Sequence, residues 1–256
     1  MLSEKLSKNI KKLADLIKDK KEFVAFTGAG ISTESGIPDF RGPRGIWKKY
    51  KPIMLREFLS NPQDREEYWR RKIELYPALS SAEPNIGHVS LAEIFKAGFL
   101  KYVITQNIDG LHQKAGIPVE NVIELHGSNT YISCLSCGKR YEWEDILPLF
   151  DKGVKAPKCA KCEGWLKPAT ISFGQSMPEK ETATALEIAR KIKILVVVGS
   201  SLQVYPAASI PGITTQAGGI FAIINNTSTV QDTAADIILT GNAGDILKEL
   251  RINLIK

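Results

Sequence analysis

The stretch Phe23-Val-Ala-Phe-Thr-Gly-Ala-Gly-Ile-Ser-Thr-Glu-Ser-Gly-Ile-Pro-Asp-Phe-Arg41 decides how this chain reads. It starts as a short apolar run and breaks at once into a glycine turn, Gly28-Ala29-Gly30. A strand that ends in glycines can bring its backbone N–H groups against a phosphate, because no side chain blocks the approach. Ser32 and Thr33 follow, and Asp39-Phe40-Arg41 then sets an acid, an aromatic ring and a cation side by side. Such a segment suits a charged ligand with a flat ring. Taken alone, a glycine turn can also do no more than reverse the chain.

Outward from this stretch the pattern alternates. Strand candidates lie at 23–27, 102–105, 194–198, 220–224 and 236–239. Helical patterns lie at 3–20, where Leu6, Ile10, Leu13, Leu16 and Ile17 share a face behind a Ser3 cap, and at 87–97, 178–191 and 243–251. Strands alternating with helices predict an α/β protein with a mostly parallel sheet covered on both faces. The continuous apolar run Ile194-Leu-Val-Val-Val198 fits a strand buried inside such a sheet. Two stretches break the alternation. Residues 46–84 are rich in aromatic and charged side chains, and 131–167 hold all four cysteines. Both read as insertions that build a smaller lobe, leaving 1–45, 85–130 and 168–256 for the large one. A cleft between the lobes is the expected ligand site.

The strand ends carry the polar residues. Thr105 runs into Gln106-Asn107-Ile108-Asp109, Val198 into Gly199-Ser200-Ser201, and Ile224 into Asn225. Open parallel sheets bind ligands at the carboxyl ends of their strands, so these clusters and the Gly28 turn are expected to line one site. The Rossmann dinucleotide fingerprint is only partly met. Thr33 stands where its third glycine belongs, and no clear acid follows about 20 residues on, which disfavours a standard dehydrogenase.

At 256 residues, 43% hydrophobic and 24% charged, the chain suits one soluble domain with an inserted module. No apolar run approaches the roughly 18 residues that span a bilayer. The N-terminus lacks the apolar core of a secretory signal, so a cytoplasmic location and no membrane partner are expected. The net charge of +6 leaves nucleic-acid association open, but the lysines are scattered as on an ordinary solvated surface.

Cys134-Leu-Ser-Cys137 and Cys159-Ala-Lys-Cys162 are two Cys-x-x-Cys knuckles separated by 21 residues, just past the usual zinc-ribbon window of about 15–20. Two knuckles can close a four-thiolate tetrahedron around one zinc, which would then be structural. Disulfides or a redox pair are the alternatives, and a cytosolic chain disfavours stable disulfides. Of the three histidines, His88 and His112 suit capping or hydrogen-bonding roles. His126 ends an apolar stretch just before Gly127, where a side chain projects into a cleft. Histidine exchanges a proton near neutral pH, so His126 is the candidate base, with a structural role as its alternative.

Together these segments resemble the sirtuin family, the NAD-dependent protein deacylases. The matching blocks are Thr27–Ser32, Gly36–Gly42, Thr105–His112, Glu124–Gly127, the two knuckles, Phe173-Gly174, Gly199–Leu202, Val204–Ala207 and Asn225, in family order. The resemblance implies a Rossmann-like sheet domain with a smaller helical and zinc-ribbon domain built from two insertions, NAD as cosubstrate and an acetyl-lysine protein or peptide as substrate. It implies that His126 and Asn107 act in catalysis, and that Gly28, Ala29, Gly30, Ser32, Gly199, Ser200, Ser201 and Asn225 contact phosphates and riboses. Ala243 would lie in the adenine-side loop. Ile37, Asn107, Ile108 and Asp109 would form the nicotinamide pocket, with Asp39 and Phe40 beside it, Arg41 orienting the cofactor and Gln106 the ribose hydroxyls. Ile171, Phe173, Gly174, Val204 and Tyr205 would pair with the substrate backbone as an added strand. The acyl oxygen would attack the ribose carbon as nicotinamide leaves, and His126 would take a proton from a ribose hydroxyl. The family's Phe-Gly-Glu stands here as Phe173-Gly174-Gln175, which implies an altered peptide preference. A Tyr and an Arg read acidic acyl groups in some relatives; Tyr68 with Arg71 has that character without a firm match, and deacetylation is the expectation, with removal of other acyl groups left open. An ADP-ribosyltransferase on the same NAD site and a zinc-ribbon nucleic-acid binder are the rival readings.

Overall fold

The computed structural model describes residues 3–39, 42 and 45–255, with Trp47 by its backbone alone. Helix α1 (Glu4–Lys20) opens the chain, and the Ser3 hydroxyl caps it by accepting from the Leu6 N–H at 3.3 Å. Strand β1 (Phe23–Thr27) follows, buried along its whole length. Helices α2 (Leu55–Ser60), α3 (Pro62–Ser80) and α4 (Ile86–Lys96) precede strand β2 (Leu100–Thr105), the single turn α5 (Leu111–Lys114) and strand β3 (Val122–Glu124). The middle of the chain holds strands β4 (Gly127–Cys134) and β5 (Arg140–Tyr141), helix α6 (Trp143–Asp151) and strand β6 (Leu166–Thr170). Helix α7 (Glu179–Lys191), strand β7 (Ile194–Val198), helix α8 (Ile210–Gln216), strands β8 (Ile220–Asn225) and β9 (Ile237–Thr240) and helix α9 (Ala243–Leu254) complete it.

Six strands form one parallel sheet in the order β3-β2-β1-β7-β8-β9. The order reverses between β1 and β7, which is where an open α/β sheet leaves a crevice for a ligand. A parallel sheet must be covered on both faces. Phe23 and Ala25 point into a core shared with α1, α4 and α9, whereas Val24 and Phe26 point into one shared with α7 and α8. The alternation along β1 therefore assigns each face its helices.

A second sheet, β5-β4-β6, is antiparallel. It shares one core with the helices before it: Phe58, Tyr68 and Trp69 from α2 and α3 pack with Ile132, Trp143, Ile146 and Leu166. Trp69 and Trp143 meet edge to face with centroids 6.1 Å apart, the arrangement the ring quadrupoles favour. Arg65 is buried, stacks 3.7 Å over Trp165 and donates to the Phe58 carbonyl at 2.7 Å. The helical stretch and the cysteine-bearing stretch thus bury their apolar faces against each other.

Several elements differ from the sequence expectation. α8 carries Pro211 and Gly212 and lies outside the helical patterns of the sequence, yet proline is tolerated in a first helical turn. β4 and β6 are rich in Ser, Asn and Thr or interrupted by Lys167-Pro168, so neither shows a strand's apolar pattern. The boundaries expected at 130/131 and 167/168 fall inside β4 and β6, so these two strands carry the chain across from the large sheet's loops into the second sheet. Among the described residues no helix is long and apolar enough to cross a membrane.

Candidate active site and metal centre

The turns after β1 and β7 cross in direct contact. Gly30 N–H donates to the Gly199 carbonyl at 2.8 Å, Gly28 N–H to Val198 at 3.0 Å and Gly199 N–H to Ile224 at 2.9 Å. A Cβ on Gly30 would lie 2.6 Å from Gly199 Cα, and Gly199 itself has φ 63°. No side chain fits at this crossing. Ser200 packs beside it, its hydroxyl accepting from Gln106 Nε2 at 2.8 Å and from Leu202 N–H at 3.2 Å, with Ser201 next in the loop. Asn225 ends β8 and turns its amide to its own loop, donating to the Thr227 carbonyl at 2.8 Å. Ala243 starts α9, where Gly244 N–H lies 3.4 Å from Glu34.

Beside the crossing lies a cleft of about 340 Å³. It brings together Ala29, Ser32, Ile37, Gln106, Asn107, Ile108, Asp109, His126, Ile171, Phe173, Gly174, Val204 and Tyr205. Gly28, Gly30, Asp39, Gly199, Ser200, Ser201, Asn225 and Ala243 are not part of its lining. Asp39 is engaged in its own loop, accepting from Gly42 N–H at 2.9 Å. Phe40 and Arg41 lie outside the described residues. A more open hollow over Glu34–Gly36 and Ser81–Asn85 holds none of the histidine or amide candidates except the flank of the 29–35 turn.

The floor of the cleft is a continuous hydrogen-bond network. Thr27 Oγ1 donates to Thr105 Oγ1 at 2.8 Å and therefore accepts from His112 Nε2 at 2.9 Å. Thr105 Oγ1 accepts in turn from the Asn107 N–H. Asn107 Nδ2 donates to the Gly28 carbonyl at 3.2 Å and to Ser32 Oγ at 3.1 Å, while Ser32 donates to Asp109 Oδ2 at 2.7 Å. The Leu111 N–H holds the other carboxylate oxygen at 3.0 Å. Burial raises the Asp109 pKa, and the Leu111 and Ser32 donors oppose that rise. His88 accepts from Asn85 N–H at 3.4 Å as part of the α4 cap, and its ring lies 5.1 Å from that of His112. Burial pushes His88 down to about 4 and His112 well below its ordinary value, with His88 as a second cause.

His126 stands between β3 and β4, with Nδ1 3.1 Å from the Gln106 carbonyl. A carbonyl only accepts, so in the neutral ring Nδ1 carries the proton and Nε2 carries the lone pair. The peptide side of the cleft is less regular than the sequence suggests. Ser172 and Gln175 close a turn over Phe173-Gly174, with Gln175 N–H donating to Ser172 at 3.0 Å, so an extended edge exists only up to Ile171. Val204 O already accepts from Ala208, and Tyr205 stands 67% exposed on the rim. Arg71 is tied to Glu67 and to the Lys51 carbonyl, each at 2.6 Å, and Tyr68 is buried against Thr170. Both nevertheless line the cleft. Sequence reasoning missed Lys72, which lines the cleft half-buried, and Lys167, which is buried behind this wall. A lysine in a polar-looking helix or strand reads as surface, and only the Leu166 and Pro168-Ala169 neighbours of Lys167 hint at burial.

The four cysteine sulfurs all lie within 4.8 Å of one another. Cys134 and Cys162 sulfurs are 3.5 Å apart, and Cys137 and Cys159 sulfurs 3.7 Å. Four thiolates at about 2.3 Å from a tetrahedral zinc lie about 3.8 Å apart, so the set fits that metal with no position left for a substrate. The N–H groups of Ser136 and Lys161 point at Cys134 and Cys159 sulfurs, each at 3.4 Å, as expected for thiolates that carry charge. The Tyr141 hydroxyl, 3.1 Å away, holds the Cys159 thiol down at about 6.

Two outcomes follow from this geometry. Metal analysis of purified protein finds about one zinc per chain, and Cys159→Ser loses it and melts at lower temperature, because a closed four-thiolate site supplies folding energy; less than half an equivalent in undamaged protein contradicts the assignment. The buried histidines make the fold acid-sensitive. Free imidazole takes its proton near 6.5 but folded His88 only near 4. Between those values the unfolded chain binds more protons, so the stabilisation is complete above about pH 6.5 and is lost as pH falls towards 4. Urea midpoints therefore drop between pH 7 and pH 4.5, and His88→Gln flattens that drop; equal slopes for both proteins contradict it.

Comparison with known proteins agrees with this arrangement. Residues 28–206 match the family model described as the Sir2 family. The chain is 47% identical over 247 residues to the NAD-dependent protein deacetylase of Thermodesulfovibrio yellowstonii, covering 96% of this chain and 95% of that protein. It is 41% identical over 242 residues to NAD-dependent protein deacylase 2 of Archaeoglobus fulgidus, with 94% of each covered. A solved Sir2 structure with a deacetylated p53 peptide and 3'-O-acetyl-ADP-ribose is similar at a TM-score of 0.87 and 38% identity, covering 94% of this chain and 96% of that one. From the crossed glycine turns to the four-cysteine module, the chain belongs to the Sir2 family.

Proposed function

We infer that this protein is an NAD-dependent protein-lysine deacetylase, which converts an acetyl-lysine peptide, NAD and one water to free lysine, nicotinamide and O-acetyl-ADP-ribose. The observation that carries this reading is the position of His126: its Nδ1 is fixed by the Gln106 carbonyl, and its ring lines the same cleft as Ser32, Asn107 and Asp109. A base and a carboxamide-binding acid at the carboxyl ends of the strands, beside the switch in strand order, suit a reaction at a sugar carbon.

The residues fit NAD. The crossing of Gly28-Ala29-Gly30 with Gly199 offers backbone with no side chain in front of it, and Ser200 and Ser201 add hydroxyls. NAD supplies an acceptor sugar whose nicotinamide is already a good leaving group. Asp109, held as an acceptor by Ser32 and Leu111, is the partner for the carboxamide N–H groups. Asn107 keeps Ser32 and Gly28 in place around it. Ile37 and Ile108 line the pocket with apolar surface, which keeps water from the reacting carbon. His126 takes the proton of a ribose hydroxyl on Nε2. Phe40, Arg41 and Asp39 keep the roles their family motif implies, as cover and clamp for the cofactor. Asn225 and Ala243 serve the ribose and adenine side. The peptide lies across Ile171, Phe173 and Gly174 on one side and Val204 and Tyr205 on the other.

We assign the second lobe to residues 46–84 and 131–167, extended by the ends of β4 and β6, with zinc as its structural core. A zinc-ready set of four thiols suits a reducing, cytoplasmic compartment.

The test is lysine release from an acetylated peptide, with and without NAD, followed by mass spectrometry of the products. Wild-type protein forms O-acetyl-ADP-ribose only with NAD, and His126→Ala loses at least about a hundredfold in kcat while still binding NAD. Label from NAD accumulating on protein with no O-acetyl-ADP-ribose would favour an ADP-ribosyltransferase instead.

A further inference from the structure

Lys167 is a buried amine with no acid beside it. It lies on β6 with 1% of its surface exposed, and among the described residues no carboxylate comes within ion-pair distance of it. A buried cation is costly unless its hydrogens are placed. Here they are placed on main chain. Nζ donates to the Pro168 carbonyl at 3.1 Å and to the Thr170 carbonyl, with the Thr170 and Tyr68 hydroxyls each 3.4 Å away. Burial, and then the second amine on Lys72, lowers its pKa to about 7. Both protonation forms still carry two hydrogens for the two carbonyls.

The Thr170 carbonyl shares one peptide plane with the Ile171 N–H. That N–H donates to the His126 carbonyl at 2.8 Å. The plane is rigid, so a donor that fixes its oxygen also aims its hydrogen. The strand ladder gives little help at this point. Between Thr170 and Pro168 there are two steps along β6, but the paired residues on β4, Gly127 and Ile132, are five steps apart. Such irregularities recur beside active sites because they re-aim a side chain. Gly127 takes φ 68°, and a Cβ there would lie 2.1 Å from the Ala169 carbonyl. His126 is therefore pressed against 169–171 exactly where regular pairing is interrupted.

We propose that Lys167 is a positioning residue for the reaction: through the Thr170–Ile171 peptide plane its amine places the His126 main chain, and with it the imidazole, at the edge of the peptide cleft. The proposal rests on the reading of His126 as the base. The Gln106 carbonyl orients the ring from one side. The Lys167 chain of contacts sets the backbone from which the ring projects.

The test uses full-length, zinc-loaded protein and the variants Lys167→Met and Lys167→Arg. Lys167→Met keeps the length and loses the donors. It should lower kcat on an acetylated peptide by about tenfold to a hundredfold, as small displacements of a catalytic group do. It should leave the Kd for NAD, by calorimetry, within about twofold, because the NAD-side glycine crossing is untouched. In ligand-free protein the Ile171 amide should exchange at least about tenfold faster. Lys167→Arg, which restores donors, should recover both readouts together. Wild-type kcat and Ile171 exchange in Lys167→Met would overturn the proposal. So would loss of NAD affinity and kcat by equal factors, the mark of a merely structural residue. Should Lys167→Met fail to fold, Lys167→Arg decides: a changed kcat with unchanged Ile171 exchange overturns it. A wild-type protein inert on acetylated peptide would count against the functional reading, and Ile171 exchange would still judge the positioning.

Discussion

The structure depends on the contact between two stretches of bare backbone. At the centre of the sheet Gly30 meets Gly199 with a 2.8 Å hydrogen bond and no room for a Cβ on either. The contact joins the ends of β1 and β7, the two parallel strands between which the strand order reverses. Because they touch, the loop after β2 is forced over them, and Gln106 reaches Ser200 while Asn107 reaches Gly28. A methyl group at Gly30 would separate the strand ends and with them every group that depends on that spacing. The sheet's apolar layers supply most of the stabilisation, but this crossing decides that its polar ends form one site.

The second lobe extends the same logic. Its core is built by helices from one insertion and strands from the other, so neither buries its apolar face alone. The four cysteines, spaced for one zinc, gather the loops of this lobe, and β4 and β6 lead back from them to His126 and Ile171. The cleft is thereby walled on one side by sheet loops and on the other by this lobe. Beneath it lie the buried, neutral His88 and His112, and on its floor the Asp109 carboxylate is kept as an acceptor by two donors.

Much of this was legible in the residues. Apolar runs announced the four inner strands β2, β1, β7 and β8, since a strand buried on both faces needs no alternation, and also the edge strand β9, whose residues alternate between buried and exposed. The polar clusters after Thr105 and Val198 announced where those strands end. The two knuckles announced the metal. The rest was hidden for physical reasons. β3 is three residues long and ends in Glu124, so it carries no periodic signal. β4 and β6 hold their place through side chains such as Trp143, which bonds the Asn129 carbonyl at 2.7 Å, and not through an apolar stripe. Asn225 ends β8 as its sequence position suggests, and its amide bonds the Thr227 carbonyl, a local contact that the sequence does not announce. Lys167 looked like solvent-facing charge, because only the tertiary packing of Tyr68 and the irregular ladder bury it.

The central claim is that separate loops converge on one dinucleotide with its sugar turned towards the peptide cleft. Calorimetric titration of NAD into intact, zinc-loaded protein, alone and with an acetylated peptide, tests it most directly. The account predicts a heat of association, and weaker binding when Gly30→Val drives a side chain into Gly199. No heat in either titration, or Gly30→Val binding as well as the parent while folded, would contradict it.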